Sequence, residues 1–238
     1  MKIIDGHIHI KGGDIFKTEH KAEDILPVLD RAGIEKAVIF GMCLSPKEAN
    51  ERVLFECSKA PDRLYGFAYA RPMYDCNVVS VIKDGLDKGL KGIKIHKAET
   101  LLTPDILGPV VELAMEYDMP CLIDSGGDHA ALYQLVKAYP EAKFIFAHLT
   151  KGNLIEQEEM FRFLKDYKNT YVDTSWLQYY YMIKTAVNIL GSERVIYGSD
   201  GILTDPRTEI LKVKVQDFTK EQEENIFYNN MAGLLKIK

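Results

Sequence analysis

The chain opens MKIIDGHIHI (residues 1–10), an apolar run that carries two imidazoles two positions apart, His7 and His9. In an extended strand the side chains alternate in direction, so His7 and His9 share one face while Ile8 and Ile10 take the other. Same-face neighbours lie about 6.6 Å apart along a strand, a gap that two ring nitrogens close by leaning onto one cation. The same spacing suits a strand end with two solvated histidines. What decides between the two readings is the company the rest of the chain provides.

Seven further short β-branched or aromatic runs follow: EKAVIF, RLYGFAYA, GIKIH, PCLID, KFIFAH, TYVDTS and RVIYGSD. Their centres lie roughly 23 to 33 residues apart, room for one strand, one helix and two short loops. The intervening segments carry helix punctuation. Ala22 to Ala32 stops at Gly33, Thr103-Pro104 supplies a cap and a first-turn proline, and Asp128 caps His129 to Tyr139 ahead of Pro140. Glu156 to Tyr167 and Trp176 to Leu190 read as the next two helices, and Thr219 opens a C-terminal one.

Alternation of strand and helix predicts a parallel sheet, and eight units favour an α/β (β/α)8 TIM barrel over an open doubly wound sheet. No Gly-x-Gly-x-x-Gly follows any of the runs, so the usual dinucleotide turn of the open sheet is missing. No linker or composition shift divides residues 1–238, which predicts one domain.

A composition 47% hydrophobic and 27% charged is that of a globular chain with a sizeable core, and no apolar run nears the length of about 20 residues that spans a bilayer. Net charge is -5 with no run of lysine and arginine, so neither a nucleic acid nor a membrane is expected as partner. Cys43, Cys57, Cys76 and Cys121 are widely spaced, without a Cys-x-x-Cys pair, as in a protein of reduced thiols. A start without a basic flank, signal-length apolar stretch or small-residue cleavage site adds to the expectation of a cytoplasmic protein.

In a parallel barrel the chemistry sits at the C-terminal ends of the strands. Here those ends bring Lys94 and His96, Asp124, His148, Asp173 with Ser175, and Asp200. One strand-end aspartate is commonly a turn former, and Asp5 and Asp173 read that way. A ring of titratable ends converging on one cavity is different, because such groups are tolerated together only with a cation or with one another. His20 and His129 read as surface residues, SGGDH (125–129) as a glycine turn needed for geometry or else as backbone amides that hold an anion, and WLQYYY (176–181) as a packing face, with a subunit contact of a homo-oligomer as one use, or else as the lining of a pocket for a planar ligand.

The stretches IIDGHIHI, KGIKIH, FIFAHLTKG, VIYGSD and ENIFYNNMAGLL, in this order, make the chain resemble the amidohydrolase superfamily, in its amidohydrolase-related branch that includes the aminocarboxymuconate-semialdehyde decarboxylases. The resemblance implies a distorted TIM barrel holding one or two divalent metal ions, zinc first and manganese, magnesium or iron as alternatives. It implies His7 and His9 as first-strand ligands, Asp200 as last-strand ligand and proton shuttle, and His148 as the catalytic histidine after strand six. The family usually has a histidine ending strand five, where this chain has Asp124. Either Asp124 is a metal ligand, with a harder donor than imidazole, or His96 or a carboxylated Lys94 replaces it, or the metal is weak or absent. Lys94, His96, Arg71 and Lys151 are then candidate substrate-binding groups, the last two for a carboxylate.

The expected activity is hydrolysis of a small molecule at a carbonyl centre (amide, lactone or ester) by a metal-activated water. Non-oxidative decarboxylation of a small acidic substrate is the alternative with the same site residues. A TatD-like nuclease ranks third, because Lys94 and Gly198-Ser199-Asp200 stand where those enzymes usually carry acidic residues. A barrel that binds a small molecule without catalysis ranks last.

Overall fold

The computed structural model describes residues 1–11 and 19–237, so most of the expected loop from Lys11 to Glu19 lies outside the described residues. The strands are β1 (Ile4–Lys11), β2 (Lys36–Gly41), β3 (Leu64–Gly66), β4 (Ala68–Ala70), β5 (Ile93–His96), β6 (Cys121–Asp124), β7 (Phe144–Phe146), β8 (Thr170–Asp173) and β9 (Val195–Ile196). All neighbouring pairs are parallel, in chain order. The run RLYGFAYA is broken at Phe67 into β3 and β4, so labels from there on run one ahead of the eight expected strands.

Two junctions close the ring. Phe67 N–H still donates to Ile39 on β2, at 3.0 Å, while Ala68 N–H turns to Gly92, at 2.8 Å, so the broken strand joins the two sheets. On the other side Gly6 N–H donates to the Tyr197 carbonyl at 2.9 Å and His9 N–H to that of Gly201 at 2.8 Å, tying β1 to the segment after β9. The fold is therefore a (β/α)8 barrel, as the repeat predicted.

The helices between strands are α1 (Ala22–Ala32), α2 (Pro46–Ser58), α3 (Val78–Asp87), α4 (Pro104–Glu116), α5 (His129–Ala138), α6 (Leu154–Leu164), α7 (Met182–Leu190) and α8 (Pro206–Lys214). Gly33 ends α1 at φ 69° and the Asp128 carboxylate accepts Ala131 N–H at 3.1 Å, as expected, while α4 opens at Thr103-Pro104 without a capping bond from the threonine side chain. One boundary differs substantially. The helix expected from Trp176 starts at Met182, and residues 176–181 form an exposed turn instead, with Trp176 at φ 49°, a value no helix accepts.

Apolar burial falls into two main layers. Ile8 and Ile10 pack outward with Ile25 and Leu29 of α1, as the alternation predicted. Inside the barrel Ile4, Val38, Phe67, Leu122, Ile145 and Ile196 form a second cluster, plugged from below by Met231, Leu234 and Leu235 of the C-terminal helix (Asn230–Leu235). A register shift in β1 between Asp5 and Ile8 turns His7 and His9 inward above this plug. Among the described residues no helix is long and apolar enough to cross a membrane.

Candidate metal centre

His7 and His9 lie in the second half of β1 with their rings edge-on to Phe40 of β2, at centroid distances of 5.1 and 4.7 Å. Their Nε2 atoms are 3.2 Å apart. Asp200 reaches the same point from the turn after β9, with Oδ1 3.4 Å from His7 Nε2 and 3.0 Å from His9 Nε2. That oxygen is buried, and apart from the two imidazoles no donor reaches it. Among the described residues only these three form a group able to hold a metal, one donor atom from each lying within 4.8 Å of the others.

Protonation states fit a cation. Burial drives the His7 pKa down to about 4, assisted by the Lys94 charge and opposed by Asp173 and Asp200. His9 is lowered too, by burial first. Burial would raise the Asp200 carboxyl, but His9, His7 and His148 hold it well below the usual range. Two imidazoles held neutral by burial and one ionised carboxylate thus converge on one point, and this N,N,O set of donor atoms fits a divalent transition ion.

Asp173, read from the sequence as a turn former, is the orienting group of the site. Its Oδ2 lies 2.8 Å from His7 Nδ1, while Oδ1 accepts the backbone N–H of His148 at 2.9 Å and of Ser175 at 3.0 Å. A proton held on Nδ1 leaves the His7 Nε2 lone pair for the cluster. No local signal distinguishes Asp173, because its partner is 166 residues away in the chain.

His148, Leu149, Thr150 and Lys151 all have positive φ, between 49° and 70°. Each such residue costs about 1 kcal/mol, so the segment must be held from outside. Asp173 holds its first amide, Ser125 Oγ donates to the Thr150 carbonyl at 3.0 Å, and His129 Nε2 donates to the Lys151 carbonyl at 2.7 Å. His129 is therefore half-buried and structural, where the sequence suggested a free surface position. The Gly126-Gly127 turn has φ 59° and 89°, in keeping with the geometric reading of SGGDH.

Lys94 is fully buried beneath the site, its Nζ 3.3 Å from His7 Nε2 and 4.5 Å from the Phe40 ring centroid. Burial lowers its pKa against the pull of Asp124, Asp173 and Asp200. Asp124 stands outside the three-residue cluster, its Oδ2 3.1 Å from His96 Nε2 and 3.2 Å from His148 Nε2. Arg71 does not line the site; it pairs with Asp75 at 2.9 Å and lies 3.7 Å from Glu99.

A cavity of about 470 Å³ opens above the cluster, lined by His9, His96, Asp124, His148, Lys151 and Asp200 among others. A second, of about 540 Å³, adjoins it and shares His148, Lys151, Trp176 and Thr204. Trp176 is the wall between them, with Lys151 Nζ 4.9 Å from its ring centroid. The aromatics of WLQYYY are half exposed, and Trp176 and Tyr179 face the second cavity, so of the two uses expected for this stretch they take the pocket wall and not the helical packing face.

No curated protein matches the chain. Several solved structures share its fold. An uncharacterized TIM-barrel protein from Bordetella bronchiseptica superposes with a TM-score of 0.83 at 13% identity, over 99% of each chain. A probable 2-pyrone-4,6-dicarboxylic acid hydrolase from Acinetobacter baumannii does so with 0.77 at 16%, over 100% of each. The 5-carboxyvanillate decarboxylase of Sphingomonas paucimobilis gives 0.79 at 13%, over 100% of this chain and 99% of that one. At such identities the likeness is one of fold. The sequence itself matches the amidohydrolase family profile over residues 4–237, and the chain belongs to that family.

Proposed function

We propose that the protein is a metal-dependent hydrolase acting on a small molecule at a carbonyl centre, an amide, lactone or ester. The observation that carries this reading is the convergence of His7 Nε2, His9 Nε2 and the buried Asp200 Oδ1 at the floor of an open cavity. These three residues would hold the ion, zinc by preference of an N,N,O donor set, with manganese or iron also compatible. A divalent ion supplies Lewis acidity, polarising a carbonyl and lowering the pKa of water from near 15.7 to about 7.

The chain's own groups supply the rest. The Asp200 carboxylate, ionised at neutral pH, accepts the proton of the attacking water and returns it to the leaving group. His148 presents its Nε2 edge to the cavity beside Asp124. Burial would lower its pKa, but the Asp124 hydrogen bond and the charges of Asp173, Asp124 and Asp200 raise it, so the ring places positive charge beside a developing oxyanion. Lys151, with no carboxylate partner among the described residues, is placed to take an anionic group of the substrate.

The raised pKa of His148 also favours a second reading, decarboxylation, in which the imidazolium delivers a proton to carbon. One experiment addresses both. Protein stripped with EDTA and reloaded with zinc or manganese is assayed against a panel of amides, lactones and esters and, for CO2 release, against aromatic and dienoic acids. Turnover lost on stripping and regained on reloading is expected; full turnover by the metal-free protein overturns the metal-dependent reading. CO2 release without hydrolysis selects the decarboxylase.

A further inference from the structure

Asp124 and Asp200 both stand at the barrel mouth as buried carboxylates, yet their oxygens are engaged in opposite ways. Asp124 Oδ1 accepts Gly126 N–H at 2.8 Å, and its Oδ2 faces His96 Nε2 at 3.1 Å and His148 Nε2 at 3.2 Å. Three donors saturate it. Asp200 Oδ1 faces only the imidazoles of His7 and His9.

The second nitrogen of each ring fixes where its proton sits. Ala98 N–H donates to His96 Nδ1 at 3.0 Å, so that nitrogen carries a lone pair and the His96 proton is on Nε2, facing Asp124. His148 Nδ1 lies 2.9 Å from Ser175 Oγ, whose own proton goes to Asp173, and 3.1 Å from the Ser175 carbonyl, so both oxygens accept and this nitrogen is protonated. Sheet register brings the partners together: His96 and Asp124 are paired across β5 and β6. His96 is the outer member, its side chain 22% exposed against 5% for His148.

We infer that Asp124 is a positioning residue and not a metal ligand: together with His96 it holds His148 against the cavity, while the ion rests on His7, His9 and Asp200 alone. The inference rests on the metal-dependent reading above and specifies how that site is divided. A carboxylate spent on two imidazoles and an amide has no lone pair aimed at the His7–His9–Asp200 point. Three protein ligands leave the remaining coordination positions to water and substrate, as catalytic zinc sites require. The strand-end aspartate thus replaces an expected ligand with an anchor for the catalytic ring, and His96 is the second half of that anchor.

Zinc affinity, measured in competition with a fluorescent chelator on the full chain, separates the roles. Asp124→Asn and His96→Gln are expected to bind zinc within about threefold of the unaltered protein, because neither residue touches a ligand, whereas Asp200→Asn loses more than about 100-fold. An Asp124→Asn loss as large as that of Asp200→Asn overturns the inference. If the unaltered protein takes up no zinc, the metal-dependent reading itself has failed, which is a different result. The unaltered protein gives a test that needs no variant: long-range 1H–15N spectra of the zinc-loaded chain should show His96 protonated at Nε2 only and His148 protonated at Nδ1. A His96 ring protonated at Nδ1 overturns the arrangement. Once a substrate is found, His96→Gln, which keeps a donor for Asp124, should retain most of kcat, and His96→Leu should lower kcat at least about tenfold with KM little changed; equal kcat in the two variants removes His96 from the anchor.

Discussion

Asp173 Oδ2 sits 2.8 Å from His7 Nδ1, with both side chains buried from solvent. The pair fixes which nitrogen of His7 is free, because a proton shared with Asp173 cannot also occupy Nε2. Asp173→Asn presents an amide of similar size and weakens that hold. Zinc affinity should fall roughly 10- to 100-fold in a chelator competition, as for other carboxylates behind metal-bound histidines. Unchanged affinity would mean that another group sets the His7 tautomer.

Gly198 lies directly behind His7. A Cβ at this position would stand 2.9 Å from His7 Cβ and 3.4 Å from Ser175 Cβ, and a Cβ, unlike the far end of a long side chain, has no rotamer by which to retreat. Gly198→Ala should therefore displace β1 or the turn before Asp200, at a cost of about 1–3 kcal/mol. A urea denaturation midpoint identical to that of the unaltered protein would contradict this.

Trp176 is the single tryptophan of the chain, 55% exposed, on the wall between the two cavities. Filling either cavity covers the indole. Titration with benzoate should shift its emission to the blue, and Lys151→Ala, which removes the ammonium 4.9 Å from the ring, should weaken that titration about tenfold. An unshifted spectrum at saturating benzoate would count against occupancy of the cavities by a planar acid.

The thiols should react in an order set by burial. Burial, then Glu99, pushes Cys43 up to about 11, and burial pushes Cys57 and Cys121 up to about 12. Because only the thiolate reacts, these groups are ionised at roughly one part in 1,000 to 10,000 at pH 8. Exposed Cys76 should be the first to react with a disulfide reagent at that pH. Raising the pH to 10 should recruit Cys43 next, with Cys57 and Cys121 silent until denaturant is added. Prompt labelling of Cys121 in the native protein at pH 8 would show that its surroundings open readily.

Much of the barrel is legible along the chain because the signals that specify it are local. Alternation in DGHIHI aims His7 and His9 one way and Ile8 and Ile10 the other, and helix starts such as Pro104 and Asp128 act within one turn of themselves. Where long-range contacts override propensity, the reading fails. WLQYYY has helical spacing, yet Trp176 is drawn into the left-handed region at the cavity wall, and the helix waits until Met182.

The site divides along the same line. By itself the sequence determined the succession of strands, their polar ends and the family, since these depend on residue type and on spacing within a few positions. Only the tertiary structure decided what each polar end does. Asp124, Asp173 and Asp200 are equivalent as letters, but one is saturated by His96, His148 and Gly126, one orients His7, and one keeps an oxygen free beside two imidazoles. A carboxylate's role depends on which donors reach it, and those donors come from strands that meet only when the barrel closes.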